Sequence, residues 1–170
     1  GLLALQERWR SAGGTPFHLV CITNATRLDK PEVLRGLKDL CSIDGEIWAK
    51  LDAGTDDWYR RMNASRVPFE RVTENIVLAA RELPVRIQTL WMEFEGASPS
   101  DAEITAWAER VSHIHRRSPL RGVQIHTVAR ATSRPGCHPL PMARLEAIGA
   151  ILQPMGIPVE IHGGIESGSI

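Results

Sequence analysis

Five short apolar runs rich in valine and isoleucine recur along the chain, and stretches with helical periodicity separate them. The runs cover residues 17–22, 46–51, 85–91, 122–127 and 157–161. Strands that alternate with helices predict a parallel sheet, because parallel neighbours need a crossover connection. We therefore predict an α/β fold, with a parallel sheet of about five strands and crossover helices.

Capping and stop signals place the helices between these runs. Pro31 is expected at the start of a helix that ends near Leu40. Ser100 followed by Glu103 predicts a capping box, and Gly156 predicts the end of a helix that begins near Met142. Apolar residues three and four apart mark one face of an opening helix at Leu2, Leu5 and Trp9. The stripe of Phe69, Val72, Ile76 and Ala80 in a later helix is expected to pack on the sheet.

Length and charge exclude several classes of protein. A chain of 170 residues fits one domain, which we assign to residues 1–170. With 20 basic and 20 acidic residues the formal net charge is zero, so strong nucleic-acid binding is not expected. Since no apolar run approaches the roughly 20 residues that span a bilayer, and the start lacks a signal peptide, we predict a cytoplasmic protein without membrane contact.

The three cysteines do not form a recognisable metal or disulfide pattern. Cys21, Cys41 and Cys137 are odd in number and widely separated, without a CxxC pair. We interpret them as buried or idle thiols and predict no metal ligands in this chain. A zinc site that joins Cys137 and His138 to His162 fits no standard spacing.

Polar residues follow or interrupt the apolar runs near their carboxyl ends. Because parallel strands joined by crossovers end at one edge of a sheet, these groups are expected to converge there. Polar residues within a strand of a parallel sheet would reach solvent if the sheet is open, and would line the lumen if it is a barrel. We favour a binding cavity formed by these polar strand ends, which contribute Asn24, Lys50, Asp52, Gln88, Gln124, His126, Thr127, Arg130, Glu160 and His162.

Several segments around these strand ends resemble radical SAM enzymes. The segments are ITNAT at 22–26, KPEV at 30–33, KLDAGT at 50–55, RMN at 61–63, IQTLW at 87–91 and VQIHTVAR at 123–130. Their order and spacing match the middle and later strands of that family's barrel, over nearly the whole chain. The resemblance implies a partial TIM-like (β/α) barrel fragment.

The resemblance also implies roles for the polar residues. Asn24 and the Lys50 to Asp52 strand end would contact S-adenosylmethionine, and Gln88 would project into the lumen. The segment from Thr127 to Arg130 would border the adenine or the substrate. The complete protein would use S-adenosylmethionine and a [4Fe-4S] cluster, and would cleave S-adenosylmethionine reductively.

One departure from the family changes the interpretation. The CxxxCxxC loop that holds the cluster in radical SAM enzymes does not occur in this sequence. We therefore interpret the chain as an incomplete core barrel without the first strand and cluster loop, unable to hold the cluster by itself and inactive alone. The alternative is a non-catalytic α/β module that binds a small ligand or a protein through the same polar rim. In an incomplete barrel the strand that begins at Phe17 would lie at an edge and promote self-association.

The cysteine pattern gives a direct test. Reconstitution of the purified chain with iron and sulfide should leave it colourless, because its thiols lack the spacing of a cluster site. The absorbance spectrum measures this outcome. A brown protein with bound iron and sulfide would contradict this interpretation of the cysteines.

Overall fold

Five parallel strands form the central sheet of the computed structural model, which describes residues 1–15, 17–130, 132 and 135–164. The sheet order is β1-β2-β3-β5-β7, and every neighbouring pair is parallel. The predicted parallel sheet is confirmed. The strands are β1 Leu19–Thr23, β2 Gly45–Lys50, β3 Val85–Leu90, β4 Met92–Phe94, β5 Gly122–His126, β6 Cys137–Pro139 and β7 Val159–His162.

Helices connect the strands of the sheet as crossovers. The helices are α1 Leu2–Ser11, α2 Pro31–Cys41, α3 Asp56–Asn63, α4 Phe69–Ala80, α5 Asp101–Arg117, α6 Met142–Ala150 and a short 3₁₀ helix at Gln153–Met155. Pro31 begins α2, as predicted. Gly156, with a left-handed φ of 68°, follows the 3₁₀ turn. Among the helices of the described segments, none has the length and apolar character needed to cross a membrane.

Several predicted boundaries were wrong. The strand predicted at 17–22 begins at Leu19, and the run at 157–161 forms a strand only from Val159. The helix predicted from Met142 to Met155 ends at Ala150, and a 3₁₀ turn containing Pro154 follows it. Proline lacks the N–H of a regular helical turn and clashes with the preceding turn, so α6 does not continue through it.

The short antiparallel pair of β4 and β6 was not predicted. Met92 pairs with Pro139, and Phe94 pairs with Cys137. Glu93 therefore lies in a strand, opposite His138. Strands of three residues carry too little alternation to be recognised from sequence.

The helices cover only one face of the sheet. In β2 and β3 every second residue is fully buried, including Ile47, Ala49, Val85 and Ile87. These residues join helix side chains in one core cluster, which includes aromatic and branched residues of α4 and α5. The intervening residues, such as Gln88, are half-buried on the opposite face. Burial on one side gives a pattern of period two in a parallel sheet.

The amino-terminal helix contacts the domain through a polar side chain. Gln6 is buried and donates from Nε2 to the carbonyl oxygen of Ile43 at 3.0 Å. Leu5 and Trp9, which mark the apolar face of this helix in the sequence, are about half exposed at 48% and 50%. Apolar spacing predicted a helix here correctly, but not which of its faces is covered.

Strand β1 forms one edge of the sheet. Within the described residues it pairs only with β2, and its Val20 and Ile22 side chains are exposed. An unpaired edge with apolar side chains can recruit another strand. Self-association through this edge remains a prediction.

Substitutions at neighbouring positions of β3 should show that the two faces of the sheet contribute differently to the free energy of unfolding. Ile87→Ala is expected to lower the free energy of unfolding by about 2–5 kcal/mol, because it removes a fully buried side chain from the core. Gln88→Ala, the matched control, should change it by less than about 0.5 kcal/mol, since this side chain lies on the face without helices. Urea denaturation measures both, and equal losses would contradict a one-sided core.

Candidate functional site

The face without helices carries polar residues that align across four strands. Lys50 pairs in register with Gln88, Gln88 with Gln124, and Gln124 with Glu160. A second row places Leu90 beside His126 and His126 beside His162. We call this surface the open face. Lys50 and Gln88 thus lie on one side of the sheet, opposite the helix layer.

Three predicted site residues share a cleft at the carboxyl ends of β1 and β2. Asn24, Lys50 and Asp52 line a cavity of about 60 Å³, with Tyr59 and Phe69 behind them. The Tyr59 and Phe69 rings stack with centroids 4.5 Å apart, which gives the cleft a firm apolar wall. This arrangement arises because β1 and β2 are parallel neighbours and both end at this edge.

Asp52 is the most constrained residue of this cleft. Its side chain is only 8% exposed; Oδ1 accepts from the backbone N–H of Leu90 at 2.8 Å, and Oδ2 lies 3.1 Å from Lys50 Nζ. Burial raises the pKa of Asp52, while the Lys50 ammonium and the Leu90 N–H oppose the rise. The carboxyl group is therefore fixed in orientation beside a half-exposed ammonium.

Asn24 shapes the turn that follows β1. Its Oδ1 accepts from the backbone N–H of Thr26 at 3.2 Å and from the Thr26 hydroxyl at 2.8 Å. Ala25 has a left-handed φ of 59°, and the buried Asn75 of α4 donates to its carbonyl oxygen at 2.9 Å. Helix α4 therefore holds this turn in place, while the exposed Asn24 side chain borders the cleft.

An ion-pair network crosses the middle of the open face. Arg86 donates to Glu46 at 3.1 Å and to Glu160 at 2.9 Å. The Arg86 guanidinium passes over Gly122, where an added Cβ would lie 2.6 Å from Nη1. Gln124 Nε2 also donates to Glu160 at 3.0 Å. This network links strands β2, β3, β5 and β7.

Of these network residues, Gln124 and Glu160 were among the polar strand ends expected from the sequence, whereas Arg86 and Glu46 were not. Glu46, Trp48 and Lys50 occupy alternate positions of β2, and Glu160 and His162 alternate in β7. Trp48 Nε1 donates to Glu46 at 2.8 Å, so the tryptophan belongs to the open face and not to the core. Polar residues at every second position of an otherwise apolar run were the available signal.

Two histidines stack at the β5–β7 end of the open face. The rings of His126 and His162 have centroids 4.4 Å apart and an interplanar angle of 12°. Burial lowers the pKa of His126, His162 and Lys50 lower it further, and Glu160 opposes them. Within the described residues, Nε2 of His126 and Oε1 of Gln124 are buried without a hydrogen-bond partner. Such atoms are uncommon in folded proteins, which marks this end as polar and incompletely paired.

The remaining predicted residues do not join the cleft. Thr127 is buried, and its hydroxyl accepts from the backbone N–H of Leu140 at 2.8 Å. Arg130 is exposed in the segment after β5, outside the residues that line the cleft. Thr89, which follows Gln88, lies on the covered face with no exposure. A larger groove of about 640 Å³ lies between α4 and α5, on the helix side of the domain.

The three thiols lie in different elements. Cys21 is in β1, Cys41 ends α2, and Cys137 is in β6, and all three are half-buried. Burial raises the pKa of Cys41, and the nearby Cys21 and Glu46 raise it further. In the part of the chain that the structure describes, no group of three His, Cys, Asp or Glu side chains could hold a metal ion. These three cysteines therefore do not match the ligands of an iron–sulfur cluster that is held by one cysteine loop.

Comparison with known proteins identifies the fold. No protein-family model and no curated protein matches the sequence. A solved domain of pyruvate-formate lyase-activating enzyme from Bacteroides vulgatus ATCC 8482 is 17% identical with a TM-score of 0.62, over 95% of this chain and 89% of that chain. A radical SAM methyltransferase from Sphaerobacter thermophilus is 16% identical with a TM-score of 0.61, over 95% of this chain and 55% of that one.

A third solved structure extends this similarity. SuiB from Streptococcus suis, determined with bound S-adenosylmethionine, is 12% identical with a TM-score of 0.63, over 85% of this chain and 32% of that chain. The chain therefore has the partial (β/α) barrel fold of radical SAM enzymes, which confirms the predicted resemblance. It spans about half of the methyltransferase and about a third of SuiB.

From the lowered pKa of His126 we predict that folding stability depends on pH. The pKa of His126 is below its ordinary value of 6.5, so the unfolded chain binds more protons than the folded chain between these two pKa values. Folding stability should therefore fall as the pH is lowered through about 6.5. His126→Asn should reduce the difference between urea midpoints measured at about pH 7.5 and about pH 5.5.

His162→Asn provides a graded comparison. It removes the neighbouring ring but not the burial, which is the largest cause of the lowered pKa of His126. It should therefore reduce the difference in urea midpoints less than His126→Asn does. If the difference between the urea midpoints at the two pH values is the same in both variants as in the unmodified chain, burial of His126 does not lower its pKa and the prediction is wrong.

Proposed function

We propose that the open face is the inner wall of a radical SAM barrel and binds S-adenosylmethionine together with a substrate. The observation that carries this proposal is the one-sided helix layer. Parallel sheets are normally covered on both faces, and the uncovered face of this one is polar across four adjacent strands. A ligand cavity accounts for such a face, whereas packing alone does not.

The cleft formed by Asn24, Lys50 and Asp52 is the proposed contact for S-adenosylmethionine. The Lys50 ammonium can meet the ligand's carboxylate, and the oxygens of Asp52 and Asn24 can accept from its amino group or ribose hydroxyls. The cleft itself holds only about 60 Å³, so it would receive one polar part of the ligand while the rest lies along the open face. In a complete radical SAM enzyme, S-adenosylmethionine would supply a 5′-deoxyadenosyl group for radical chemistry, and the residues of this cleft would bind and orient it.

The thiols of this chain do not fit the cluster. A [4Fe-4S] cluster needs closely placed cysteine thiolates. Cys21, Cys41 and Cys137 belong to a strand, a helix end and a separate strand. In this proposal a cluster would need ligands other than these three cysteines, and the role of the described residues is to bind and orient the organic ligands.

The β5–β7 end of the open face is the proposed substrate side. Gln124 and His126 carry buried polar atoms that have no partner in the described part of the chain, and the exposed His162 stacks on His126. These atoms are available to a ligand that donates or accepts hydrogen bonds. Lys50, between this end and Asp52, would contact both ligands.

Binding of S-adenosylmethionine tests the proposal without a cluster. Calorimetric titration of the purified chain should give saturable binding of one molecule per chain. Asp52→Ala should weaken this binding by at least about 10-fold, since it removes a fixed acceptor and the partner of Lys50.

Asp39→Ala is the matched control, because it removes an exposed carboxylate of α2 away from the open face. The affinity of Asp39→Ala for S-adenosylmethionine should equal that of the unmodified chain. Circular dichroism measures whether each variant is folded. Failure of the folded chain to bind S-adenosylmethionine, or equal affinity in Asp52→Ala, would contradict the proposal and favour a different ligand-binding or protein-binding module.

A further inference from the structure

One face of α5 is hydrogen-bonded to the backbone of the segment that carries Asp52. Glu103, Trp107 and Arg110 are four and three residues apart, so they lie on the same side of the helix. Trp107 Nε1 donates to the carbonyl oxygen of Leu51 at 3.0 Å. Arg110 Nε donates to the carbonyl oxygen of Gly54 at 2.6 Å. The helix therefore contacts the chain on both sides of Asp52.

The Glu103 carboxylate makes the largest number of these contacts. Its Oε1 accepts from the backbone N–H groups of Gly54 and Thr55, and its Oε2 accepts from the Thr55 hydroxyl at 2.6 Å. Only 6% of Glu103 is exposed, so these donors would be left without partners if the carboxylate were removed. Thr55 Oγ1 also caps α3 by accepting from the backbone N–H of Trp58.

Close approach of the backbone makes this arrangement possible. A Cβ added to Gly54 would lie 2.2 Å from the Trp107 nitrogen and 2.4 Å from the Glu103 carbonyl oxygen. Residue 54 therefore has to be glycine for the segment to reach the helix. The bonds from α5 are made mainly to main-chain atoms, which fixes the path of the chain after β2.

We propose that Glu103, Trp107 and Arg110 form a clamp that positions Asp52 for ligand binding on the open face. This inference rests on the proposed function of the Asn24, Lys50 and Asp52 cleft. The clamp holds residues 51–55 from the helix side, and Asp52 in turn accepts from the Leu90 N–H and pairs with Lys50 on the sheet side. The three clamp residues touch no ligand and act through Asp52, so they are positioning residues.

Two substitutions at residue 103 test the clamp. Glu103→Ala should weaken S-adenosylmethionine binding by at least about 10-fold, because it releases three donors of the segment after Asp52. Glu103→Gln should restore binding to within about 3-fold, since its amide oxygen can accept from the two N–H groups and its amide nitrogen can donate to the Thr55 hydroxyl.

A second readout does not depend on S-adenosylmethionine. In Glu103→Ala the Leu90 amide proton should exchange at least about 10-fold faster, and the pKa of the Asp52 carboxyl, followed by carbon NMR, should fall toward its ordinary value as burial is lost. Glu103→Gln should keep both values close to those of the unmodified chain.

Val111→Ala is the control for stability alone. Val111 is fully buried in α5 but makes no hydrogen bond to residues 51–55, so its truncation destabilises the domain without opening the clamp. Val111→Ala should leave the pKa of the Asp52 carboxyl unchanged. It should also leave the exchange rate of the Leu90 amide proton unchanged relative to the other amide protons of the domain.

The outcomes separate the two proposals. If Glu103→Ala leaves the Asp52 pKa and Leu90 exchange at the values of Val111→Ala, the clamp is refuted. If the unmodified chain binds no S-adenosylmethionine while Glu103→Ala still alters both values, the proposed function is refuted and the positioning of Asp52 by the clamp remains.

Discussion

Burial of the sheet on one side only is the constraint on which the remaining structure depends. Ile47, Ile87 and Ile125 point into the same apolar layer as the helices, where each is fully buried. The side chains that alternate with them must therefore satisfy their polar groups without a second helix layer. The stability of the domain and the polarity of its open face are consequences of the same alternation along each strand.

The open face meets this requirement mainly through cross-strand pairs. The Arg86 guanidinium of β3 pairs with Glu46 of β2 and Glu160 of β7, and Gln124 of β5 joins the network by donating to Glu160. Lys50 and Asp52 form a second pair at the strand ends. At the β5–β7 end the pairing is incomplete, since buried atoms of Gln124 and His126 meet no partner among the residues that the structure describes. The face thus combines a fixed centre with two ends at which polar groups remain available to ligands.

Helix α5 has two functions in this arrangement. Its Ile104, Trp107 and Val111 side chains belong to the core, while Glu103 and Arg110 bind the main chain after β2. The expected capping box was half correct. Ser100 accepts from the backbone N–H of Glu103 at 3.1 Å, but the Glu103 carboxylate binds Gly54 and Thr55 in place of the helix start. Tertiary contacts with a distant loop outweighed a local cap.

The sequence by itself determined the parallel sheet, the helix starts at Pro31 and Asp101, and the convergence of Asn24, Lys50 and Asp52. These features follow from local periodicity and from the rule that parallel strands end at one edge. Only the tertiary structure decided which residues complete the open face, because strand register is a long-range property. Arg86 reaches Glu160, 74 residues away, and His126 meets His162 only when β5 and β7 become neighbours. The same reason explains why Glu103 could be recognised as a helix-start residue but not as a partner of Gly54, which precedes it by 49 residues.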